Sequence, residues 1–475
     1  MALRIYNTLD KKIEEFRPQD EKLVTIYSCG PTVYDFVHIG NLRTFMMADF
    51  LKRTLLFLGY GVKHVKNITD VGHLTQDDID QGEDKMLKAA RREGKTPYDI
   101  ARFYEEAFHK DEEKLNIIPA DVFPHATGYI QQMIAIIKTL IEKGYAYEVD
   151  GSVYYDVDRF PRYGKLSGNT LENLKIGARL EAKEDKKHPY DFALWLKAGE
   201  EHLMRWDSPW STGYPGWHIE CSAMSINNLG ETLDIHTGGE DNVFPHHEDE
   251  IAQSEGATGK RFVNYWVHAR HLLVNGEKMS KSKGNFYTLK DIEDKGFDPL
   301  VYRYLCLTSH FQSQMNFTWE GLTDSKNALE RLYDFAGSAD VTDGKVIGKY
   351  LEKFKAMLED NLNTPFAIAT VWEMIKDKGV SDADKKVTLL RFDEVLGLGL
   401  DKIETIRTEI IRFDSYSVVN STGENLSGEI LELIKEREAA RGSKDFAKSD
   451  GIRDELKEKG YGIGDTPKGL EITKL

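Results

Sequence analysis

Hydrophobic and polar positions near the start of the chain follow a strand pattern, then a helix pattern, then a strand pattern again. Leu23–Ser28 (LVTIYS) is a short β-favouring run that ends before a Cys-Gly-Pro turn. Apolar spacing over residues 44–58 predicts a largely buried helix, which Gly59 would end. Residues 62–67 again indicate a strand. This order predicts a βαβ unit, which begins a parallel sheet with its ligand at the carboxyl ends of the strands.

Farther along the chain the pattern changes twice. Prolines interrupt residues 119–205, and residues 151–155 (GSVYY) are typical of a hairpin arm, so this stretch is predicted to be an insertion. Strand-like runs return at residues 232–236 and 262–269. From about residue 324 the spacing is mostly helical, and the polar stretch 415–428 is the best linker candidate. We therefore expect an α/β fold: a Rossmann-like parallel-sheet domain, an inserted connective domain and a mainly α-helical C-terminal region.

Composition narrows the class of protein. The 475 residues are 40% hydrophobic and 30% charged, which excludes a collagen-like or mostly disordered chain. No window approaches the ~18 uncharged apolar residues that a membrane helix needs, and the N-terminal charges are unlike a signal peptide. Three cysteines exclude a disulfide scaffold and favour the cytoplasm. The net charge of −16 argues against coating nucleic acid through overall charge, but it permits a local basic face.

Two short strings have phosphate-binding chemistry. The first is His38-Ile39-Gly40-Asn41, between the predicted first strand and the predicted helix. Gly40 lets a ligand approach the backbone, and a helix N-terminus favours a phosphate there. His38 and Asn41 can both donate hydrogen bonds to phosphate oxygens. A βα turn with an ordinary surface histidine would show the same residues, so both interpretations stay open at this point.

The second string is Lys278-Met279-Ser280-Lys281-Ser282, followed by Lys-Gly-Asn. Its lysines and hydroxyls can bind a triphosphate and stabilise the charge that builds up on leaving pyrophosphate. A solvated basic loop is the alternative. The chain has no G-x-x-x-x-G-K-[ST] string, so an ordinary P-loop is not expected.

A third set of residues has the chemistry of a zinc site. Cys221 lies in GWHIEC, and the run FPHHEDE holds His246 and Glu250. These two are four positions apart and therefore share one face of a helix. Thiolate, imidazole and carboxylate groups all bind zinc. Cys29, at the end of the first predicted strand, is the fourth candidate ligand.

Alternatives at this site stay open. His247 and Glu248 in the same run are rival ligands. Cys221 could instead be a buried free thiol, and the acidic run could favour a helix N-terminus through its charge. Cys306, in the apolar run YLCL, is predicted to lie in the core.

Together the strings resemble the signatures of a known family. Those beginning at His38 and Lys278 resemble the HIGH and KMSKS motifs of class I aminoacyl-tRNA synthetases, in the same order, with Asn41 replacing the final histidine. Longer strings are similar to cysteinyl-tRNA synthetases: CGPTVYD (29–35), NITD (67–70), DFALW (191–195), GWHIECSAM (216–224), DIHTGGEDNVFPHHEDEIAQS (234–254), VNYWVH (263–268) and AARGSKDFAKSDGIRDEL (439–456). The likeness extends from near residue 3 to the C-terminus.

The resemblance implies a set of site residues. The implied zinc ligands are Cys29, Cys221, His246 and Glu250. Catalytic roles at the phosphates are expected of His38 and Lys281. The expected ATP-binding residues are His38, Gly40, Asn41, Lys278, Ser280 and Lys281. Those expected to line the cysteine and adenylate pocket are Thr69, Trp217, His236 and Asp241.

The resemblance also implies an activity, a cysteine–tRNA ligase that forms cysteinyl adenylate and transfers it to the terminal adenosine of tRNA. Expected partners are L-cysteine, ATP with Mg²⁺ and cysteine tRNA, with one Zn²⁺ per chain selecting the substrate thiol. A cytoplasmic monomer that does not bind membranes is expected. A cysteine:aminosugar ligase is the nearest alternative, followed by a non-catalytic tRNA-binding relative and a zinc hydrolase.

The expected division of the chain has six segments. Residues 1–118 and 206–290 form the two halves of the nucleotide-binding catalytic domain, and residues 119–205 form the connective insertion. The helical segments follow: a stem-contact region (291–345), an anticodon-binding domain (346–425) and a small C-terminal domain contacting the anticodon (426–475). In the last segment, residues at roughly helical spacing are candidates for phosphate contacts: Arg437, Arg441, Lys444 and Lys448. A solvated face is the alternative, and Gly442-Ser443 could break the helix between them.

Overall fold

The computed structural model describes most of the chain, namely residues 2–71, 74–76, 81–169, 172–173, 186–199, 202–280, 283–339, 341–403, 409–413, 416–422, 426–466 and 469–474. The chain forms two compact units. The first contains residues 1–326, 349–373 and 394–398, and the second contains residues 327–348, 374–393 and 399–475.

The described elements are numbered along the chain. The strands are β1 (Arg4–Asn7), β2 (Lys12–Glu15), β3 (Leu23–Ser28), β4 (Gly61–Lys66), β5 (Leu74–Gln76), β6 (Gln81–Asp84), β7 (Ala146–Val149), β8 (Ser152–Tyr155), β9 (Phe192–Lys197), β10 (Trp206–Asp207), β11 (Thr212–Pro215), β12 (Leu233–Gly239), β13 (Val263–Ala269), β14 (Leu272–Val274), β15 (Glu277–Lys278), β16 (Met315–Phe317), β17 (Glu409–Arg412), β18 (Ser417–Ser421), β19 (Tyr461–Thr466) and β20 (Gly469–Lys474). The helices are α1 (Ile39–Phe57), α2 (Lys85–Glu93), α3 (Pro97–Lys114), α4 (Ile130–Glu142), α5 (Ile219–Leu229), α6 (His246–Thr258), α7 (Leu289–Asp294), α8 (Pro299–Leu307), α9 (Trp319–Ser338), α10 (Gly348–Glu359), α11 (Thr364–Lys376), α12 (Asp382–Leu396), α13 (Gly428–Gly442) and α14 (Phe446–Glu458).

A four-stranded parallel sheet lies at the centre of the first unit, in the order β13-β12-β3-β4. Helix α1 connects β3 to β4, and α6 connects β12 to β13. The direction of winding therefore reverses between β3 and β12, where the Cys29 N–H donates to the Thr237 carbonyl at 3.3 Å. In open parallel sheets, ligands bind beyond the carboxyl ends of the strands at such a switch point.

Helix α1 packs across this sheet. Met47, Leu51 and Leu55 join the buried cluster that contains Ile26 and Ile235 of the neighbouring strands. The helix begins at Ile39, five residues before the predicted start, and it ends at Phe57. Gly59 follows with a φ of 94°, a left-handed conformation that favours glycine and terminates the helix.

The insertion folds as an antiparallel sheet in the order β10-β11-β9-β8-β7. Strands β7 and β8 form the predicted hairpin. Its two turn residues, Asp150 and Gly151, both have positive φ (49° and 84°), as a type I′ turn requires. The sheet continues past residue 205 to Pro215. Strands β10 and β11 therefore come from the sequence immediately before α5.

A buried ionic cluster joins three parts of the first unit. Asp49 of α1 accepts from Arg53 Nε at 2.9 Å and from Arg303 Nη2 of α8 at 2.6 Å. The Arg303 guanidinium also donates to the Leu115 carbonyl at 2.9 Å and to the Leu396 carbonyl at 2.6 Å. Because Arg303 and Asp49 have fully buried side chains, these donors satisfy groups that water does not reach.

The second unit is helical and also contains a four-stranded sheet in the order β17-β18-β20-β19. Ile434, Leu456 and Ile472 lie in the core between this sheet and helices α13 and α14. The linker expected at residues 415–428 is therefore wrong in part, because β18 pairs with both β17 and β20. Of the four residues expected to contact phosphates in the last segment, Arg437 is wrong, because this residue is only 3% exposed.

Helices of the described residues are all too short or too polar to cross a lipid bilayer.

Candidate active site and metal centre

A cavity of about 700 Å³ opens at the carboxyl ends of β3 and β12. Its wall comes from the loop after β3, the start of α1, the turn after β12 and the segment around β15. The predicted residues in its lining are Cys29, His38, Gly40, Asn41, Trp217, Asp241, His246 and Lys278. The fold thus brings the two phosphate-binding strings and part of the predicted zinc site to one cavity.

His38 and Asn41 form the cap of α1. The His38 Nδ1 accepts from the Asn41 backbone N–H at 3.1 Å, and the Asn41 Oδ1 accepts from the His38 N–H at 3.2 Å. Because Nδ1 is an acceptor, the neutral ring carries its hydrogen on Nε2. The cap therefore fixes a tautomer that can donate to a ligand through Nε2.

Gly40 is where the two phosphate-binding strings meet. A Cβ at this position would lie 2.9 Å from the His38 ring and 3.2 Å from Met279 Cε. Both distances are shorter than ordinary carbon contacts, so glycine permits this close approach. The segment around β15 is held by Asn285, whose Oδ1 accepts from the Ser280 N–H at 2.8 Å. Lys278 is exposed, and Lys281 and Ser282 lie outside the described residues.

The four predicted zinc ligands converge. One ligand atom each of Cys29, Cys221, His246 and Glu250 lies within 4.8 Å of the others. The His246 Nε2 is 3.1 Å from Glu250 Oε1, and Cys29 Sγ is 3.8 Å from the same oxygen. Cys221, His246 and Glu250 are buried, and Cys29 is half-buried. Helix α6 provides two ligands from one face, as their spacing predicts.

Electrostatics at this cluster favour the anionic forms of Cys221 and Glu250. A hydrogen bond with Cys29 outweighs burial and lowers the pKa of Cys221 to about 7. Burial would raise the pKa of Glu250, but His236 and His246 hold it at about 2. Burial instead raises the pKa of Cys29. A thiolate and a carboxylate side by side in a buried site are a good fit for a cation.

These residues meet the requirements for zinc. Tetrahedral zinc with ligands at ~2.0–2.3 Å separates them by about 3.3–3.8 Å. The described ligand atoms all lie within 4.8 Å of one another, and the cluster offers two sulfurs, one nitrogen and one oxygen. Soft thiolates with imidazole favour zinc over magnesium or calcium. Cys29, Cys221, His246 and Glu250 are therefore a suitable zinc ligand set.

A second possible ligand set shares Cys29 and Glu250 and adds His236 and His247. His247 Nε2 is 3.2 Å from Cys29 Sγ, and His236 Nε2 is 3.0 Å from Glu250 Oε2. The imidazoles of His236 and His247 are fully buried, whereas His246, which belongs to the first set alone, lines the cavity. The first set therefore has a second residue, besides the shared Cys29, at the space that a substrate enters. The other rival, Glu248, points elsewhere, because its Oε2 accepts from the Ser167 N–H and Oγ at 2.9 Å each.

The four predicted pocket residues have two different placements. Trp217 and Asp241 line the cavity, and the Trp217 ring is 5.0 Å from that of His246. Thr69 is buried, and its Oγ1 donates to Glu220 Oε2 at 3.3 Å. His236 is buried against Glu250 and stacks on Trp266 with ring centroids 4.6 Å apart.

Sequence reasoning missed two further buried imidazoles. His218 Nδ1 is 2.8 Å from His246 Nδ1, and its Nε2 is 3.2 Å from Asp249 Oδ2. His268 Nε2 is 2.7 Å from His247 Nδ1. Both histidines lie in strings that resemble the family, so the sequence could have marked them as candidates. Their positions in the chain do not show which histidines contact each other in the fold.

Comparison with known proteins agrees with this arrangement. A model of the tRNA synthetases class I (C) catalytic domain matches residues 15–327. A cysteine–tRNA ligase of Treponema denticola is 44% identical, covering 98% of this chain and 97% of its own length. That of Chlorobaculum tepidum is also 44% identical, covering 100% of this chain and 99% of its own. Methionyl-tRNA synthetase of Mycobacterium tuberculosis, solved with methionyl-adenylate, shares the fold at 15% identity with a TM-score of 0.55, over 81% of this chain and 92% of that one.

The match to the catalytic-domain model, together with a parallel sheet whose cavity is lined by residues of both predicted phosphate-binding strings, defines a class I aminoacyl-tRNA synthetase. Identity over nearly the full length is specific enough to go further. The chain belongs to the cysteine–tRNA ligase family.

Proposed function

We propose that this chain activates L-cysteine with ATP and transfers the cysteinyl group to the terminal adenosine of cysteine tRNA. One observation carries the proposal: two thiols, an imidazole and a carboxylate converge at the wall of the cavity that both phosphate-binding strings reach. A site for a thiol-bearing substrate therefore lies next to a site for nucleotide phosphates.

The first step needs positioning and charge stabilisation more than covalent chemistry by the protein. The cysteine carboxylate attacks the α-phosphorus of ATP, and the bond to the pyrophosphate oxygen breaks. His38 donates through Nε2 to a phosphate oxygen, Gly40 admits the phosphates close to the backbone, and Asn41 holds His38 in place. Lys278, Ser280 and Lys281 stabilise the leaving pyrophosphate, which Mg²⁺ accompanies.

Selection of cysteine over serine is assigned to Cys29, Cys221, His246 and Glu250. These residues hold zinc, which supplies a preference for a deprotonated sulfur over a neutral hydroxyl. A pocket that reads shape alone would separate such near-isosteres by only ~10²-fold. Of the pocket residues, Trp217 and Asp241 contact the substrate, and Thr69 and His236 support the wall from behind.

The second step requires tRNA. The cysteinyl group passes to a hydroxyl of the terminal adenosine, and AMP leaves. We assign the acceptor stem to residues 291–345 and the anticodon to residues 346–425 and 426–475. We assign the catalytic halves to residues 1–118 and 206–290 and the connective insertion to residues 119–205, although the sheet of the insertion extends to Pro215. A cytoplasmic monomer completes the proposal.

Charging of unfractionated tRNA with labelled cysteine, ATP and Mg²⁺ tests the function, with serine in a parallel reaction. We expect cysteine to be attached and serine refused. If cysteine-dependent pyrophosphate exchange occurs without charging, the acceptor is not tRNA, and the cysteine:aminosugar ligase becomes the better description. If neither reaction occurs, the chain is a non-catalytic relative.

A further inference from the structure

We propose that an aromatic surface at the rim of the cavity stacks the single-stranded 3′ end of the tRNA. This rim surface consists of Phe36, Phe103, Tyr104 and Lys95. The inference rests on the proposed function and deepens it, because a tRNA substrate must bring its last nucleotides across this rim. It concerns residues that neither phosphate-binding string nor the zinc site includes.

The rings form a compact cluster in which two of the three are partly exposed. The Phe36 centroid lies 6.0 Å from that of Phe103 and 5.0 Å from that of Tyr104. Phe103 and Tyr104 are 5.1 Å apart. Phe36 is 44% exposed and Phe103 is 43% exposed, whereas Tyr104 is buried beneath them. Adjacent exposed aromatic rings on a soluble protein indicate an interaction site more strongly than scattered ones do.

The surface is held rigid from behind. The Tyr104 hydroxyl donates to Glu93 Oε1 at 2.6 Å and accepts from Arg92 Nη2 at 3.2 Å. Lys95 donates to Glu93 Oε2 at 3.2 Å, and its Nζ lies 4.4 Å from the Phe103 ring centroid. Because these contacts fix the rings before a ligand arrives, little side-chain entropy is lost on binding.

Position identifies the occupant. Phe36 belongs to the cavity lining and stands two residues before His38, so the surface is continuous with the space where the terminal adenosine reacts. Arg92 and Lys95 are balanced by Glu93 and by Asp35, which is 4.0 Å from Arg92. Attraction must therefore come mainly from the rings. Stacking on a base face suits single-stranded RNA, since every base has such a face.

The test compares two forms of one RNA. Binding of intact tRNA, and of the same tRNA lacking its last three nucleotides, is measured for the full chain and for Phe103→Ser. We expect the variant to bind intact tRNA about tenfold more weakly, as the loss of one stacked base predicts. Its affinity for the shortened tRNA should change less than about twofold.

Two further variants keep the test decisive. Tyr98→Ser removes another exposed ring (53%) from helix α3, outside the rim surface, and should leave both affinities unchanged. Phe103→Leu keeps an apolar side chain but removes the flat ring, so an intermediate loss is expected. In charging assays, the loss for Phe103→Ser should exceed its loss in cysteine-dependent pyrophosphate exchange.

Unchanged affinity of Phe103→Ser for intact tRNA would overturn the inference, as would an equal loss for intact and shortened tRNA. Either result leaves the proposed function standing if the unaltered protein charges tRNA with cysteine. If the unaltered protein activates cysteine but does not charge tRNA, the proposed function fails at its second step and the rim surface loses its ligand.

Discussion

At the residue scale, the chemistry depends on which atom each side chain presents. His246 directs Nε2 towards Glu250 and places Nδ1 at 2.8 Å from His218. Asp249 in turn holds His218 through Nε2. A ligating imidazole whose other nitrogen is held in this way has a fixed ring orientation. The described site thus contains support for the proposed metal ligand His246 as well as the residue itself.

Replacing Cys221 with serine tests the zinc assignment. Cys221→Ser removes a thiolate that a hydroxyl replaces poorly. We expect zinc content to fall from one per chain towards zero and the cysteine KM to rise about 100-fold or more, because even supporting residues around metals contribute 10–100-fold. Metal analysis and pyrophosphate exchange measure the two effects. Cys306→Ala, which alters a buried thiol outside this cluster, should retain its zinc. A zinc-free Cys221→Ser with normal cysteine activation would contradict the assignment.

His109 gives the first unit a pH-dependent contribution to stability. Hydrogen bonds to Glu105, then to Glu112, raise the pKa of His109 to about 9. Because the unfolded value is lower, ~6.5, the stabilisation is complete below about pH 6.5 and is lost as the pH rises through about 9. The side chain is 38% exposed, so solvent screening limits the gain to about 1 kcal/mol.

Thermal unfolding of His109→Gln and of the unaltered chain measures this contribution. We expect the variant to melt about 1–2 °C lower at pH 6 and the difference to vanish by pH 10. His125 and Lys66 face the same carboxylates, Glu105 and Glu112, and are present in both proteins, so they do not create the difference. A difference that stays constant across this pH range would contradict the assignment.

The sequence predicted the ligand types of the site but not its finer geometry. Cys29, Cys221, His246 and Glu250 were identified from residue chemistry, helical spacing and family resemblance, and they converge in the structure. The roles of the remaining histidines depend on which residues meet across separate strands and helices. Nothing local in the sequence specifies that His268 contacts His247, because the contact requires β13 and α6 to be in place.

At the scale of elements, prediction succeeded where local signals mark the boundaries. Strand β3 was predicted with its exact bounds because a Cys-Gly-Pro turn follows it. The start of α1 was placed too late because its cap is His38, and histidine is not among the usual capping residues. Strand β18 was mistaken for a linker because its polar residues pair with β20, about fifty residues later in the chain.

The buried pair between α1 and α8 should carry more stability than a surface pair. Arg303→Met leaves Asp49 with Arg53 and the Ile118 N–H as donors, and it removes donors from two buried carbonyls. We expect a loss of about 3–5 kcal/mol in the free energy of unfolding. Denaturant unfolding of the full chain measures it.

A matched comparison comes from an exposed ion pair. Lys290 lies 2.6 Å from Asp294 with side chains 75% and 58% exposed, so Lys290→Met should leave the free energy of unfolding nearly unchanged. Arg303→Lys keeps the charge but not the forked donors, and an intermediate loss is expected. Equal effects of Arg303→Met and Lys290→Met would show that the buried cluster contributes little.

At the scale of the whole molecule, charge is the main constraint on tRNA binding. The net charge of −16 opposes a polyanion at long range, so cations must act locally. In the second unit, Lys444 and Lys448 are exposed, whereas Arg437 is not. Overall composition therefore could not locate this interface, because the exposure of each cation depends on the packing of α13 and α14.

Salt should separate the two steps of the reaction. Each phosphate contact releases counterions, and even three contacts would weaken tRNA binding about 40-fold between 50 and 200 mM salt. We expect the tRNA KM in charging to rise steeply over this range, while the cysteine KM in pyrophosphate exchange changes little. Parallel assays in potassium chloride measure both values. A tRNA KM that does not depend on salt would contradict phosphate-mediated binding.

The proposed metal ligands lie far apart in the sequence, and this separation has a consequence for protein synthesis. Cys29 and Glu250 are separated by 221 positions in the chain. At about 5–20 residues per second, the ribosome makes Glu250 roughly 10–45 s after Cys29. For most of that interval, until Cys221 is made, the nascent chain holds the Cys29 thiol without its partner ligands. Capture of zinc by the four proposed ligands must therefore follow closure of the parallel sheet, and we expect the metal content of a freshly made chain to report whether the two proposed catalytic halves have joined.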